Sequence, residues 1–247
     1  MSENLIRKYN IPGPRYTSYP TVPYWDEGTF NPEKWKQHVQ ESAAASNATE
    51  GISIYIHLPY CESLCTYCGC NKRITKNHGV EEPYIEAVLK EWKMYQELIG
   101  QTPRISEVHL GGGTPTFFSS ANLIMLMNGL SENAIITPDA DLSFEAHPNN
   151  TTREHLEELY NLGFRRLSLG VQDFNLDVQT AIHRIQPYKK VVETVGQARS
   201  VGYNSINFDL IYGLPKQTLP IIKDTVNKVL DLMPERIAFY SYAHVPW

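Results

Sequence analysis

Short apolar, β-branched runs alternate along this chain with longer stretches whose apolar residues recur at helical spacing. The runs at 52–58, 107–110, 141–146, 166–171, 205–211 and 236–242 predict strands. Between them, 84–99 places Val88, Leu89, Trp92 and Tyr95 on one helical face, and 122–130 is rich in Leu and Met. Further helices are predicted over 152–162 with Leu156, Leu159 and Tyr160, over 191–201 with Val191, Val195 and Ala198, and over 218–232 with Ile222, Val226, Val229 and Leu230. Two of these end alike, in Leu162-Gly163-Phe164 and Val201-Gly202-Tyr203, a helix-capping glycine followed by the next strand. The 39-residue interval between Gly163 and Gly202 is a weak internal repeat of one helix–strand unit.

Strands alternating with helices imply an α/β fold with a parallel sheet and right-handed crossovers. Successive strand–helix repeats with no obvious reversal favour a barrel over a doubly wound sheet. The expected architecture is an incomplete (βα)6 barrel over 51–247, since the chain stops at its sixth strand. Residues 1–50 differ: Ile11-Pro-Gly-Pro-Arg15-Tyr-Thr-Ser-Tyr-Pro20 is turn-rich and aromatic, and 42–50 is polar and Ala/Ser-rich, reading as a helix end plus linker. They form an N-terminal extension in this reading.

Composition changes the picture little. At 247 residues the chain is long enough for a full core, and 42% hydrophobic with 20% charged residues is ordinary for a globular protein. A net charge of −5 gives a nucleic-acid partner no electrostatic support. No apolar run approaches a membrane span. The polar stretch 1–10 carries no apolar signal core, so a cytoplasmic, reducing setting is expected.

The chemistry concentrates after the first strand. All four cysteines, Cys61, Cys65, Cys68 and Cys70, fall within ten residues, the first three as C-x3-C-x2-C. Three thiolates on one short loop suit three irons of a [4Fe–4S] cluster and leave the fourth iron free for a ligand, whereas electron-transfer ferredoxin clusters take four thiolates. Disulfides would need an oxidising compartment. A structural zinc site favours a second distant pair or histidines, and none is present at that spacing.

In a parallel barrel the reactive groups gather at the C-terminal strand ends. There the sequence places Gly111-Gly112-Gly113-Thr114-Pro115, then Glu145 with His147-Pro148, Gln172-Asp173, Asp209 with Tyr212-Gly213-Leu214-Pro215, and Tyr242-Ala243-His244, while Arg184 follows a short helix after the fourth strand. A glycine triplet offers backbone N–H groups and close approach to a ligand, and equally serves a tight turn. Glu145 and Asp209 are either ligand-binding or paired within the barrel, because a carboxylate in an apolar strand is costly alone. Gln172 is either a site residue or a hydrogen-bonded core amide. His57 and His147 read as structural.

The cysteine triplet, glycine turn and strand-end polar residues together resemble a radical S-adenosylmethionine (SAM) enzyme. Within that superfamily, Lys8-Tyr9-Asn10 with Gly13-Pro-Arg-Tyr-Thr-Ser-Tyr-Pro20, Cys68-Gly-Cys-Asn-Lys72, the run from Gly111 to Thr116, Gly170-Val-Gln-Asp-Phe174 and Asp209-Leu-Ile-Tyr-Gly-Leu-Pro-Lys-Gln217 resemble the oxygen-independent coproporphyrinogen III oxidases. The resemblance implies a cytoplasmic, monomeric oxidoreductase of haem biosynthesis that uses a [4Fe–4S] cluster, SAM and a low-potential electron donor to convert two propionates of coproporphyrinogen III to vinyl groups. It implies Cys61, Cys65 and Cys68 as cluster ligands. Tyr55, Gly112 and Glu145 match positions holding the cluster-bound SAM; Tyr67, Gly113, Thr114, Gln172, Arg184, Asp209 and Ala243 match positions of a second SAM. Cys70 matches the family's extra cysteine and reads as a non-ligand. The family's chains are longer, with a C-terminal, largely helical domain expected to be absent here. A radical-SAM-like haem chaperone and a haem-utilisation methyltransferase are the alternatives; Cys70 and the 15–20 segment weigh against the chaperone.

Overall fold

A computed structural model describes residues 3–9 and 24–243. The Gly13–Pro20 motif and His244 lie outside the described residues. The chain forms two compact units, Met1–Val39 and Gln40–Trp247. In the first, helix α1 covers Glu3–Tyr9, and Asn31 caps helix α2 (Pro32–Asn47) by accepting from the backbone N–H of Glu33 and Lys34 at 2.9 and 3.1 Å. Helix α2 runs to Asn47 and a turn follows over 48–50, as the helix end plus linker expected over 42–50.

The second unit is built on six parallel strands in the order β1 (Ile52–Leu58), β4 (Arg104–Gly112), β5 (Ile135–Ala146), β6 (Arg166–Gln172), β7 (Ser205–Tyr212) and β8 (Arg236–Ser241). The spatial order follows the chain order without reversal, which separates this sheet from a doubly wound one. β1 and β8 end the sheet, so it is an open, partial barrel.

Alternation along the strands decides which face is covered. Ile56, Leu58, Val108, Leu110, Leu142, Phe144, Leu167, Leu169, Ile206, Phe208 and Leu210 are buried in one core. They meet α3 (Glu81–Ile99), α4 (Ser120–Ser131), α5 (Arg153–Asn161), α7 (Tyr188–Val201) and α8 (Leu219–Leu232), which supply Trp92, Leu126, Leu159, Val195 and Val229. The intervening residues are polar: Tyr55 and His57, His109, Ser143 and Glu145, Ser168, Asn207 and Asp209. One face of the sheet is therefore a hydrophobic floor for helices, and the other is a polar interior. α5 starts on a capping box in which Thr152 and His155 exchange hydrogen bonds, and α5 and α7 hand over to strands through Gly163 and Gly202, both at positive φ. The short α6 (Leu176–Ala181) follows β6.

Two short strands, β2 (Tyr60–Cys61) and β3 (Arg73–Ile74), pair in parallel and close the cysteine loop at its base. The Arg73 N–H donates to the Pro59 carbonyl at 2.8 Å, and that of Thr75 to Cys61 at 2.9 Å. Among the described residues, no helix is long and apolar enough to cross a membrane.

Candidate functional site

The cysteine loop leaves β1 at the C-terminal edge of the sheet and is tied down from several sides. The Thr66 N–H donates to the Ile182 carbonyl at 3.1 Å, and Lys72 Nζ to the carbonyls of Cys68 at 2.8 Å and Cys70 at 3.4 Å. His57 Nε2 meets the Asn71 carbonyl at 2.6 Å while its Nδ1 meets the Tyr55 hydroxyl at 3.0 Å. The glycine turn locks against the same loop: Gly113 N–H donates to Leu58 at 2.9 Å and Thr114 N–H to Tyr60 at 3.0 Å.

Cys61, Cys65 and Cys68 are half-buried and Cys70 is exposed. The three line a cavity of about 240 Å³ together with Tyr67, Gly113, Thr114 and Arg184. Each thiol meets a different environment. Burial pushes the Cys61 thiol up, partly offset by the Thr114 hydroxyl 3.4 Å away. Cys68 is pulled down to about 6, chiefly because the Cys70 thiol donates to it and further because Lys72 and Arg184 are near. The same bond drives Cys70 the other way, keeping it a protonated donor. Arg184 donates from Nη1 to Cys65 Sγ at 3.7 Å. The lowered Cys68 thiol favours thiolate, the form that ligates metal. Among the described residues no three His, Cys, Asp or Glu side chains converge on a single-ion position. A mononuclear zinc site needs that convergence; a cluster presents its irons at separate corners, and three spaced thiols on one loop fit it.

Beside the cavity, β4 and β5 bring a second group together. Glu145 Oε2 accepts from the Gly112 N–H at 3.1 Å, and its Oε1 lies 3.5 Å from His109 Nε2. His109 Nδ1 meets Ser143 Oγ at 2.7 Å, and its ring stacks on Tyr55 with centroids 5.8 Å apart. Gly112 has φ 113°, and a Cβ there would fall within 2.6 Å of the His57 ring, so this turn admits only glycine without movement. On β6 and β7, Asp209 accepts from Ser168 Oγ at 3.2 Å and Asn207 Nδ2 at 2.9 Å. Burial raises its pKa, against those two hydrogen bonds.

These thiols at a strand end, with their glycine turn, fall within a stretch that matches a known superfamily. Its model, the radical SAM superfamily, matches residues 55–229. The chain belongs to the radical SAM superfamily. A protein from Helicobacter pylori called oxygen-independent coproporphyrinogen III oxidase is 43% identical over 241 residues, which is 97% of this chain and 52% of the relative. One of the same description from Escherichia coli is 39% identical over 247 residues, 98% of this chain and 51% of the relative. The solved coproporphyrinogen III oxidase (HemN) from Escherichia coli, described as a radical SAM enzyme, superposes with a TM-score of 0.87 at 37% identity, over 99% of this chain and 53% of that one. The radical SAM chain thus spans about half the length of the curated relatives it matches.

The structure gathers the sequence-derived candidates unequally. Cys61, Cys65, Cys68, Tyr67, Gly113, Thr114 and Arg184 share one cavity. Tyr55, Gly112 and Glu145 form a neighbouring group: a Cβ built on Gly111 would lie 3.0 Å from the Tyr55 ring and 3.2 Å from the Glu145 carboxyl carbon. Gln172 is buried with a left-handed φ of 65°, and Asp209 stands opposite Gly170 on the next strand. Ala243 is exposed just past β8. Among the described residues, neither Glu145 nor Asp209 pairs with a Lys or Arg. Sequence reading passed over His109, Ser143, Ser168 and Asn207. Their signal was available as polar residues at every second position of strands whose other positions are apolar.

Proposed function

We propose that this chain forms the cluster- and SAM-binding half of an oxygen-independent coproporphyrinogen III oxidase, converting two propionates of coproporphyrinogen III to vinyl groups and giving protoporphyrinogen IX for haem biosynthesis. The observation that carries this reading is the grouping of the three thiols with Arg184, Gly113 and Thr114 around one cavity at the strand ends. Relatives of that name that align with nearly the whole chain support it.

Cys61, Cys65 and Cys68 would hold the cluster, with Cys70 outside it as a hydrogen-bond donor to Cys68. When bound, the cluster and SAM would supply one-electron, radical chemistry for abstracting a hydrogen atom. At each propionate the overall change would be loss of one hydrogen atom, one carbon dioxide and one electron, leaving a vinyl group. Tyr55, Gly112 and Glu145 would hold the first SAM: the Gly112 N–H fixes one Glu145 oxygen, and the other, 3.5 Å from His109 Nε2 on a half-exposed side chain, could also accept from a ligand ammonium or hydroxyl. Tyr67, Gly113, Thr114, Gln172, Arg184, Asp209 and Ala243 serve a second SAM. In Asp209, Ser168 and Asn207 orient a carboxylate suited to a ribose hydroxyl. The protein works as a cytoplasmic monomer with a low-potential electron donor and without nucleic acid or membrane.

The test is anaerobic reconstitution, then incubation with SAM, a low-potential reductant and coproporphyrinogen III, followed by mass analysis. Loss of two carboxyl groups from the porphyrin, with 5′-deoxyadenosine, is expected. Methyl transfer, or haem handed on unchanged with no consumption of coproporphyrinogen, overturns the reading.

A further inference from the structure

We infer that Arg184 raises the reduction potential of the cluster from the side of Cys65, and that Gln186 is the positioning residue that aims it. The inference rests on the cluster-binding reading above.

It starts from an irregularity in β6. Its register against β7 slips between Gly170 and Gln172, where the backbone turns left-handed. Carbonyls at such a slip need partners outside the ladder. Gly170 O accepts from Arg184 Nη2 at 2.7 Å and from Gln186 Nε2 at 2.9 Å, and Val171 O accepts from Gln186 Nε2 at 2.5 Å. Gln186 is fully buried, and its Oε1 accepts from Arg184 Nε at 3.2 Å. Gln186 is itself held by the buried Gln179, whose Oε1 accepts from the Gln186 N–H at 3.0 Å and whose Nε2 donates to the carbonyls of Gln186 and Asp173, each at 2.9 Å.

One donor of the guanidinium, Nη2, is thus committed to the slipped strand and a second, Nε, to Gln186, which fixes the plane of the fork and turns Nη1 away from both. It faces Cys65 Sγ, 3.7 Å away. Among the described residues Arg184 forms no ion pair, so its charge is not already matched by a carboxylate. A fixed cation donating to a cluster sulfur stabilises the more negative, reduced cluster more than the oxidised one. Sequence reading placed Arg184 near a ligand but gave Gln179 and Gln186 no role, since their contact with β6 is made only in the fold.

The test uses the anaerobically reconstituted protein without SAM, as wild type, Arg184→Gln, Arg184→Lys and Gln186→Leu. Iron and sulfide are counted, and the cluster is titrated by paramagnetic resonance against potential. Arg184→Gln should have a reduced-to-oxidised ratio at least tenfold lower at the wild-type midpoint, a drop of about 59 mV for one electron. Arg184→Lys, which keeps the charge without the fork, and Gln186→Leu, which frees the fork, should move the same way by less. Wild-type potentials in Arg184→Gln and Gln186→Leu at full iron content overturn the inference. Should Arg184→Gln hold no cluster, wild-type potentials in the other two variants overturn it equally. A wild-type protein that takes up no iron and sulfide would instead sink the cluster-binding reading.

Discussion

Gly113→Ala should damage this protein far more than its one added carbon suggests. A Cβ at Gly113 would sit 2.6 Å from Pro59 C, 2.7 Å from Pro59 O and 2.9 Å from Tyr60 O. All three are backbone atoms, so no side-chain rotation relieves the contact. The glycine turn and the end of β1 must separate by several tenths of an ångström. Overpacking of this kind costs about 1–3 kcal/mol. The separation also strains the two hydrogen bonds that join these segments, Gly113 N–H to Leu58 and Thr114 N–H to Tyr60, at about 0.5–1.5 kcal/mol each. The expected loss is about 2–6 kcal/mol. Pro59 and Tyr60 lead directly into Cys61, so the displacement reaches the first thiol, and reconstituted iron and sulfide should fall with stability. Gly69→Ala, inside the cysteine loop with open space around its Cβ position, is the comparison and should stay within about 0.5 kcal/mol. Urea denaturation measures both. Equal stabilities for the two variants, or full cluster content in Gly113→Ala, would refute the reasoning.

Asp173→Ala removes a fully buried carboxylate that accepts from Asn175 N–H, Gln217 Nε2 and Thr225 Oγ1 at 2.7, 2.6 and 3.0 Å; the three orphaned donors should cost about 3 kcal/mol or more, and an unchanged urea midpoint would count against this hub. Burial, with Arg184 nearby, holds the His147 imidazole down to about 3, against about 6.5 in an unfolded chain. The unfolded state then binds more protons between those values, so stability rises with pH across that window, is complete above about 6.5 and is lost toward the folded value. His147→Asn should flatten the slope between pH 7 and pH 5 by up to about 1.4 kcal/mol per pH unit, and parallel stability–pH curves for the two proteins would show that His147 titrates normally. Glu145→Ala should weaken SAM binding by about 1.5–3 kcal/mol through a lost charge-assisted hydrogen bond; equal affinity by equilibrium dialysis would return Glu145 to a purely structural partner of Gly112 and His109.

Much of the fold and part of the site were legible in the chain's own order. Period-two and helical spacings depend on local backbone geometry, so all six main strands and the helices between them could be located, as could the glycines that end α5 and α7. The C-x3-C-x2-C spacing is equally local, because a loop of eight residues confines its thiols whatever surrounds it. Boundaries were less legible. β4 and β5 begin at Arg104 and Ile135, before the runs that predicted them, because Arg104 and Ile105 pair with Ile135 and Ile136 ahead of a register shift that no local period reveals. The two-residue pair β2–β3 carries no period at all and exists because Arg73 and Thr75 find Pro59 and Cys61. Tertiary structure alone chose the polar partners: His109 for Ser143, Asn207 for Asp209, and Gln186 for a slipped carbonyl on β6. A side chain's period says which face it occupies, but its hydrogen-bond partner depends on strand register and on which loop folds over it. Those are set by burial of the whole sheet under its helices, a non-local quantity that no short window of sequence contains.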